Sequence, residues 1–192
     1  LWVINSDYTQ DVRLGDEVLK STSDLYRRLR NTLRYLLGAL GDMPPVSTDT
    51  IQHETLPELE QWVLHRLYEM DQEVQKTLAT YDFHQFFVAI HHFAATELSA
   101  FYFDMRKDTL YCDSVSSAKR QAALYVMDQV FTHLVKWLAP IISFTAEEAW
   151  QMRRAQIADS AALATSVHLA EYEAVPEIWH HPKLAQRWRR IR

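Results

Sequence analysis

DEVLKSTSDLYRRLRNTLRYLLGALG, residues 16–41, is the stretch whose reading decides the fold. Within it Val18, Thr22, Leu25, Leu29, Leu33, Leu36 and Leu40 recur at three- and four-residue steps. That spacing keeps them on one face of an α-helix and predicts a buried stripe. Gly38 and Gly41 mark the end of this helix. Pro44-Pro45 bars its continuation, because proline lacks the N–H and clashes with the preceding turn. Upstream, LWVINSDYTQDVRLG (1–15) shows no such period and reads as strand or loop.

The same pattern recurs downstream. After a polar loop over 42–54, Thr55-Leu56-Pro57-Glu58 is spaced as a capping box with proline in the first turn. It would open a helix carrying Leu59, Trp62, Val63, Leu67, Met70, Val74 and Leu78. Asp82 is placed to cap a third helix, through Phe83, Phe86, Phe87, Ile90, Ala94, Leu98 and Phe101. Its aromatics recur at packing intervals, so core is their expected place. A break is expected at Arg106-Lys107-Asp108. A fourth helix starts near Ser116-Ser117 and runs to Pro140. Thr145-Ala146-Glu147-Glu148 is a second candidate capping box, opening a short helix through Trp150. Ser166-Val167-His168-Leu169 alternates like a short strand, and Pro182 starts a last helix. Four long helices with short links predict an all-α, up-and-down bundle with added short helices. The expected division is a connector (1–15), the bundle (16–155) and a junction segment (156–192).

Composition narrows the function. Forty-eight per cent hydrophobic and 12% aromatic residues describe a globular chain, and no apolar run nears the roughly 20 residues of a membrane span. The opening Leu-Trp-Val reads as part of a longer polypeptide. The single Cys112 leaves no internal disulfide, fits a reducing cytoplasm, and is expected to be a buried, inert thiol. Nine histidines invite a metal reading, but there is no HExxH and His91-His92 and His180-His181 are adjacent pairs that diverge on a helix. His84 and His91 share a face without a completing ligand. With three isolated glycines there is no phosphate-cradling loop. No catalytic set is visible, and no cofactor is expected in this chain.

One feature departs from the acidic background of net charge −5. Between residues 20 and 40 lie Lys20, Arg27, Arg28, Arg30 and Arg34, opposed only by Asp24: five cations less one acid, or +4. Lys20, Arg27, Asn31 and Arg34 form a stripe away from the leucines. Guanidiniums grip phosphates and stack on unpaired bases, and Tyr35 beside Arg34 offers an aromatic plane. RNA contact is the reading these residues support; a solvated helix face or a protein-interaction module is the alternative. A second cluster, Arg187, Arg189, Arg190 and Arg192 around Trp188, closes the chain.

The segment LWVINSDYTQDVRLGDEVLKSTSDLYRRLRNTLRYLLGAL, with ELSAFYFDMRKDTLYCD, LAPIISFTAEEAW and SVHLAEY, resembles the part of bacterial-type isoleucyl-tRNA synthetases that follows the KMSKS loop. The resemblance spans nearly the whole chain. Valyl and leucyl relatives share the bundle but are expected to differ at AFYFDMRKDTLYCD. It implies a class I anticodon-binding bundle that takes the anticodon stem-loop of isoleucine tRNA, is cytoplasmic and monomeric, and packs on a catalytic domain of the same polypeptide. The parent enzyme would use ATP and Mg²⁺ through HIGH and KMSKS motifs absent here, and many bacterial members carry zinc in a C-terminal tail also absent here. In class I relatives the first bundle helix bears an arginine–aromatic pair near the anticodon, a position that Arg34-Tyr35 matches. Arg13, in the DVRLG turn, is a further contact implied by the resemblance.

Overall fold

A computed structural model of the chain describes residues 1–7, 9, 11–12, 14–41, 53–157, 160–161 and 163–191. Arg13, Arg192 and most of the polar loop expected over 42–54 lie outside them. Among the described residues there is no β-strand. Helix α1 spans Asp16–Gly41, α2 Glu58–Ala79, α3 Phe83–His92, α4 Phe103–Cys112, α5 Ala118–Leu138, α6 Ser143–Gln156 and α7 Pro182–Ile191. A π-helical stretch, Phe93–Tyr102, joins α3 to α4 without interruption, and 3₁₀ turns occupy His53–Thr55, Val167–Leu169 and Glu177–Trp179.

The leucine stripe of α1 is buried from Leu29 onward, where α5, α6 and the π stretch pack against it. Each fully buried leucine contributes roughly 1.5–3 kcal/mol, so Leu29, Leu33, Leu36 and Leu40 secure the helix. Val18, expected on that buried face, is exposed, lining a surface groove with Trp2 and Val12 of the opening segment.

The α2–α3 link is tight. Tyr81 adopts φ 59°, and the Tyr81 and Asp82 N–H groups donate back to the Leu78 and Thr77 carbonyls. This satisfies the last carbonyls of α2. Asp82 then caps α3 as expected, accepting from the Gln85 N–H at 3.0 Å.

Several local expectations fail for identifiable reasons. Thr55 does not cap α2: it belongs to the 3₁₀ turn, and Pro57 occupies the cap position with no side-chain bond. The break at Arg106-Lys107-Asp108 is absent, since no glycine or proline interrupts the rod. Arg106 is instead buried, its guanidinium gripping Glu60 of α2 through both oxygens. Burial works against the Arg106 charge, but the Glu60 carboxylate outweighs it and the pKa is raised. The second capping box also dissolves. Thr145 lies inside α6 and shares a 2.8 Å hydrogen bond with the Tyr26 hydroxyl, and Glu147 accepts from the Val167 N–H and Ser166 hydroxyl. That carboxylate bends Val167–Leu169 into a 3₁₀ turn rather than a strand. Cys112, at the end of α4, is exposed rather than buried.

The segment after α6 lies along the bundle. Val167, Val175, Trp179 and Ala185 are buried, and α7 packs on α2 with Trp188 against Trp62 (centroids 5.8 Å). Imidazoles reinforce this seam. His53 and His181 share a 2.7 Å hydrogen bond between Nε2 atoms, and the His181 N–H donates to His65 Nδ1 at 2.9 Å.

Burial, with His181 adjoining, lowers the pKa of His53, and burial likewise lowers those of His91 and His133. The unfolded chain therefore binds more protons than the folded one as pH falls below 6.5. Stability from these groups is fully present above that value and lost beneath it. The urea midpoint is expected to fall on acidification through this range; a flat profile would contradict the buried imidazoles. Glu69 acts later: the His65 imidazole and Arg66 hold its pKa at about 2 against an ordinary 4.5, so its contribution is lost only as pH falls from 4.5 toward 2.

Candidate nucleic-acid interface

The crest of α1 carries the expected cations outward. Lys20, Arg27, Arg28, Arg30, Asn31 and Arg34 are all exposed. Arg27 meets Asp24, the acid already counted against the ridge, at 3.2 Å, both side chains largely in solvent. Among the described residues, Lys20, Arg28, Arg30 and Arg34 make no ion pair. Arg28 points to a different flank, where its charge adds to burial in depressing His91. Lys20 lies about 21 Å along the helix from Arg34, at 1.5 Å per residue, so together they span more than a hairpin loop alone.

Two grooves flank the ridge. One, of about 390 Å³, lies between α1 and α6: Leu33, Leu37 and Ala149 give it an apolar floor, and Arg30, Arg34 and Glu148 rim it. The other, of about 440 Å³, lies toward α4 and α5, lined by Asn31, Tyr35, Leu110, Tyr111 and Arg120. Arg34 and Gly38 line both. Arg34 thus stands on the divide. At Gly38 nothing lies within 4 Å of where a Cβ would be, so the crest is bare backbone there.

Tyr35 differs from the other candidates. Its ring stacks on Phe103 with centroids 4.3 Å apart and planes 17° from parallel, so one face is taken by the protein. Its hydroxyl is buried with no hydrogen-bond partner, and burial, followed by the neighbouring Tyr111 and Asp104, raises its pKa. In the same groove Arg120 Nη1 donates to the Asp113 carbonyl at 3.0 Å while Nε is buried and unpaired. Tyr111 projects 78% exposed.

The sequence alone gives Glu148 a capping role and does not single out Tyr111, Arg120 or Met152 as groove residues. A usable signal exists for Arg120 and Glu148: each lacks an opposite charge three or four positions away, so no helical partner explains it. The terminal arginines resolve differently. Arg187 pairs with Glu58, and Trp188 packs into the bundle, which assigns α7 first to structure. Of the histidines, the His84 Nδ1–H donates to the Asn5 carbonyl at 2.8 Å and ties the first residues to α3.

Fold and ridge together define a class: an all-helical bundle with a cationic crest set between two grooves of nucleobase size. Residues 60–191 match the anticodon-binding domain of tRNA ligase, and the chain belongs to that family. It is similar over all 192 residues to isoleucine–tRNA ligases: 44% identical to that of Bartonella quintana (strain Toulouse) and 46% to that of Agrobacterium fabrum (strain C58 / ATCC 33970). The protein of Gluconobacter oxydans (strain 621H) bearing the same description is 45% identical. In each case the whole of this chain covers 19% of the relative. These alignments take in α1 and its ridge, which precede the family match.

Proposed function

We propose that the chain is the anticodon-binding bundle of an isoleucine–tRNA ligase and takes the anticodon stem-loop of isoleucine tRNA on the crest of α1. The observation that carries this reading is Arg34 standing without an acid partner between two base-sized grooves, on a helix with four further cations. Lys20, Arg27, Arg28 and Arg30 would hold backbone phosphates and fix register. Arg34, Asn31 and the free edge of Tyr35 would meet unstacked bases. Arg13 is proposed as a further contact on the family resemblance alone.

In such a ligase ATP, Mg²⁺ and isoleucine are handled by parts of the polypeptide outside this chain, as is any zinc-bearing tail. The bundle contributes by position: anticodon fit orients the acceptor end only if the scaffold is stiff. The core threading α1, α5 and α6, and the ion pair tying α2 to α4, provide that stiffness. We propose a cytoplasmic setting and one hairpin per monomeric chain. Among the described residues no helix is long and apolar enough to cross a membrane.

The test is a titration with the isoleucine tRNA anticodon stem-loop, with a scrambled-loop hairpin and the valine tRNA stem-loop as competitors. The isoleucine hairpin is expected to bind tightest, with a log–log salt slope of about −2 to −3.5, reflecting roughly −0.7 per phosphate contact. No binding at low salt would overturn the proposal in favour of a protein-interaction module. Preference for the valine hairpin would overturn its specificity.

A further inference from the structure

The groove between α1 and α6 holds a combination that simple phosphate binding does not require. Its floor is apolar, Leu33 and Leu37 facing Ala149 and Met152. Arg30 and Arg34 stand on one rim. On the α6 side stands Glu148, an exposed carboxylate with no hydrogen bond or ion pair among the described residues. Gln156 closes the far end, its side chain donating to the Leu37 carbonyl at 3.2 Å. Thr145 is already occupied by Tyr26. Glu148 is therefore the charged group of the α6 wall left without a partner among the described residues, and its position is unfavourable for a phosphate.

We infer that this groove reads guanine: an unpaired loop guanine lies on the apolar floor with its Watson–Crick edge on Glu148, while its phosphate meets Arg30 and Arg34. The argument is one of donor pattern. A carboxylate has two acceptor oxygens and, when ionised, no donor. Guanine alone places two adjacent donors, N1–H and the N2 amine, on that edge. Adenine and cytosine set a ring-nitrogen acceptor beside their amine, and uracil flanks its single N–H with carbonyls, so each would face Glu148 with a repelled lone pair. A cavity of about 390 Å³ has room for one nucleobase and its ordered water. This rests on the proposed RNA function and adds a base-specific residue to it.

The experiment uses hairpins with a seven-uridine loop in which a single guanine is moved through each position, titrated against the 192-residue chain. One position is expected to bind about tenfold tighter than the all-uridine loop, in line with the 1–3 kcal/mol that a bidentate base contact discriminates. Inosine at that position, lacking the N2 amine, loses most of the gain. In Glu148→Gln, and in Glu148→Ala as a second variant, the guanine and inosine hairpins become equivalent, with the thermal midpoint reporting that each variant is folded. A guanine preference that survives both substitutions, or no preferred position, overturns the inference. Hairpin binding that depends on Arg34 but ignores guanine sinks this inference alone. Absence of all hairpin binding sinks the RNA reading with it.

Discussion

Arg34→Ala is expected to weaken binding of the anticodon stem-loop by about 1–3 kcal/mol, roughly five- to 150-fold in Kd, while the thermal midpoint stays within error. The size follows from position. Arg34 borders both grooves, so its loss removes a shared wall, and being exposed and unpaired it leaves nothing unsatisfied in the fold. Arg28→Ala, on the His91 flank, is expected to cost less. Salt dependence separates two roles for the guanidinium. If Arg34 holds a phosphate, the log–log slope falls by about 0.7 in the variant; if it stacks on a base, the affinity drops at unchanged slope. Within a full-length ligase of the proposed kind, the substitution is expected to lower charging of isoleucine tRNA and leave adenylate formation untouched. Equal losses in both assays would show that Arg34 serves folding or catalysis, and the ridge would lose its central residue.

That residue was legible in the sequence because helical periodicity alone sorts Leu29, Leu33 and Leu36 from Arg27, Asn31 and Arg34. The rods followed from the same rule, and the Asp82 cap and the helix start near Ser116-Ser117 were local enough to read. What could not be read were features set by distant partners. Thr145 and Glu148 have capping-box spacing, yet Thr145 lies inside α6 and meets Tyr26, while the Glu147 carboxylate is drawn to Ser166 and Val167, residues remote in sequence. Arg106-Lys107-Asp108 looks like a polar break, but Glu60 across the bundle takes Arg106 inside. The groove walls share this character: Tyr111, Arg120 and Glu148 sit on three different helices, and only tertiary packing brings them to α1. Tyr35 shows the opposite limit. Its ring looks like a stacking plane for a base, but the stacking that the structure shows is with Phe103, a contact the sequence does not reveal.

Glu60→Ala is expected to destabilise the bundle by about 3–5 kcal/mol, a large share of the roughly 5–15 kcal/mol that holds a typical domain together. Glu60 is fully buried and Arg106 nearly so, and the guanidinium binds the carboxylate through two nitrogens. Removing the acid strands a buried cation. It also strips the Tyr102 hydroxyl of its 3.3 Å acceptor, leaving the 3.4 Å contact with the Ala123 carbonyl. Replacing both partners removes the desolvated charges together, so Glu60→Leu with Arg106→Met is expected to lie within about 1 kcal/mol of the parent in urea unfolding. The pair matters for function through α4, which carries Phe103 beneath Tyr35 and Leu110 and Tyr111 in the second groove. Hairpin affinity should therefore fall in Glu60→Ala, as unfolded chains accumulate and the groove loosens, and return in the double variant. If the double variant is stable but still binds poorly, the ion pair sets the angle of α4 and not merely its attachment. A single-variant cost below about 1 kcal/mol would mean that water reaches Arg106, and the stiffness assigned to this crossing would have to come from elsewhere in the core.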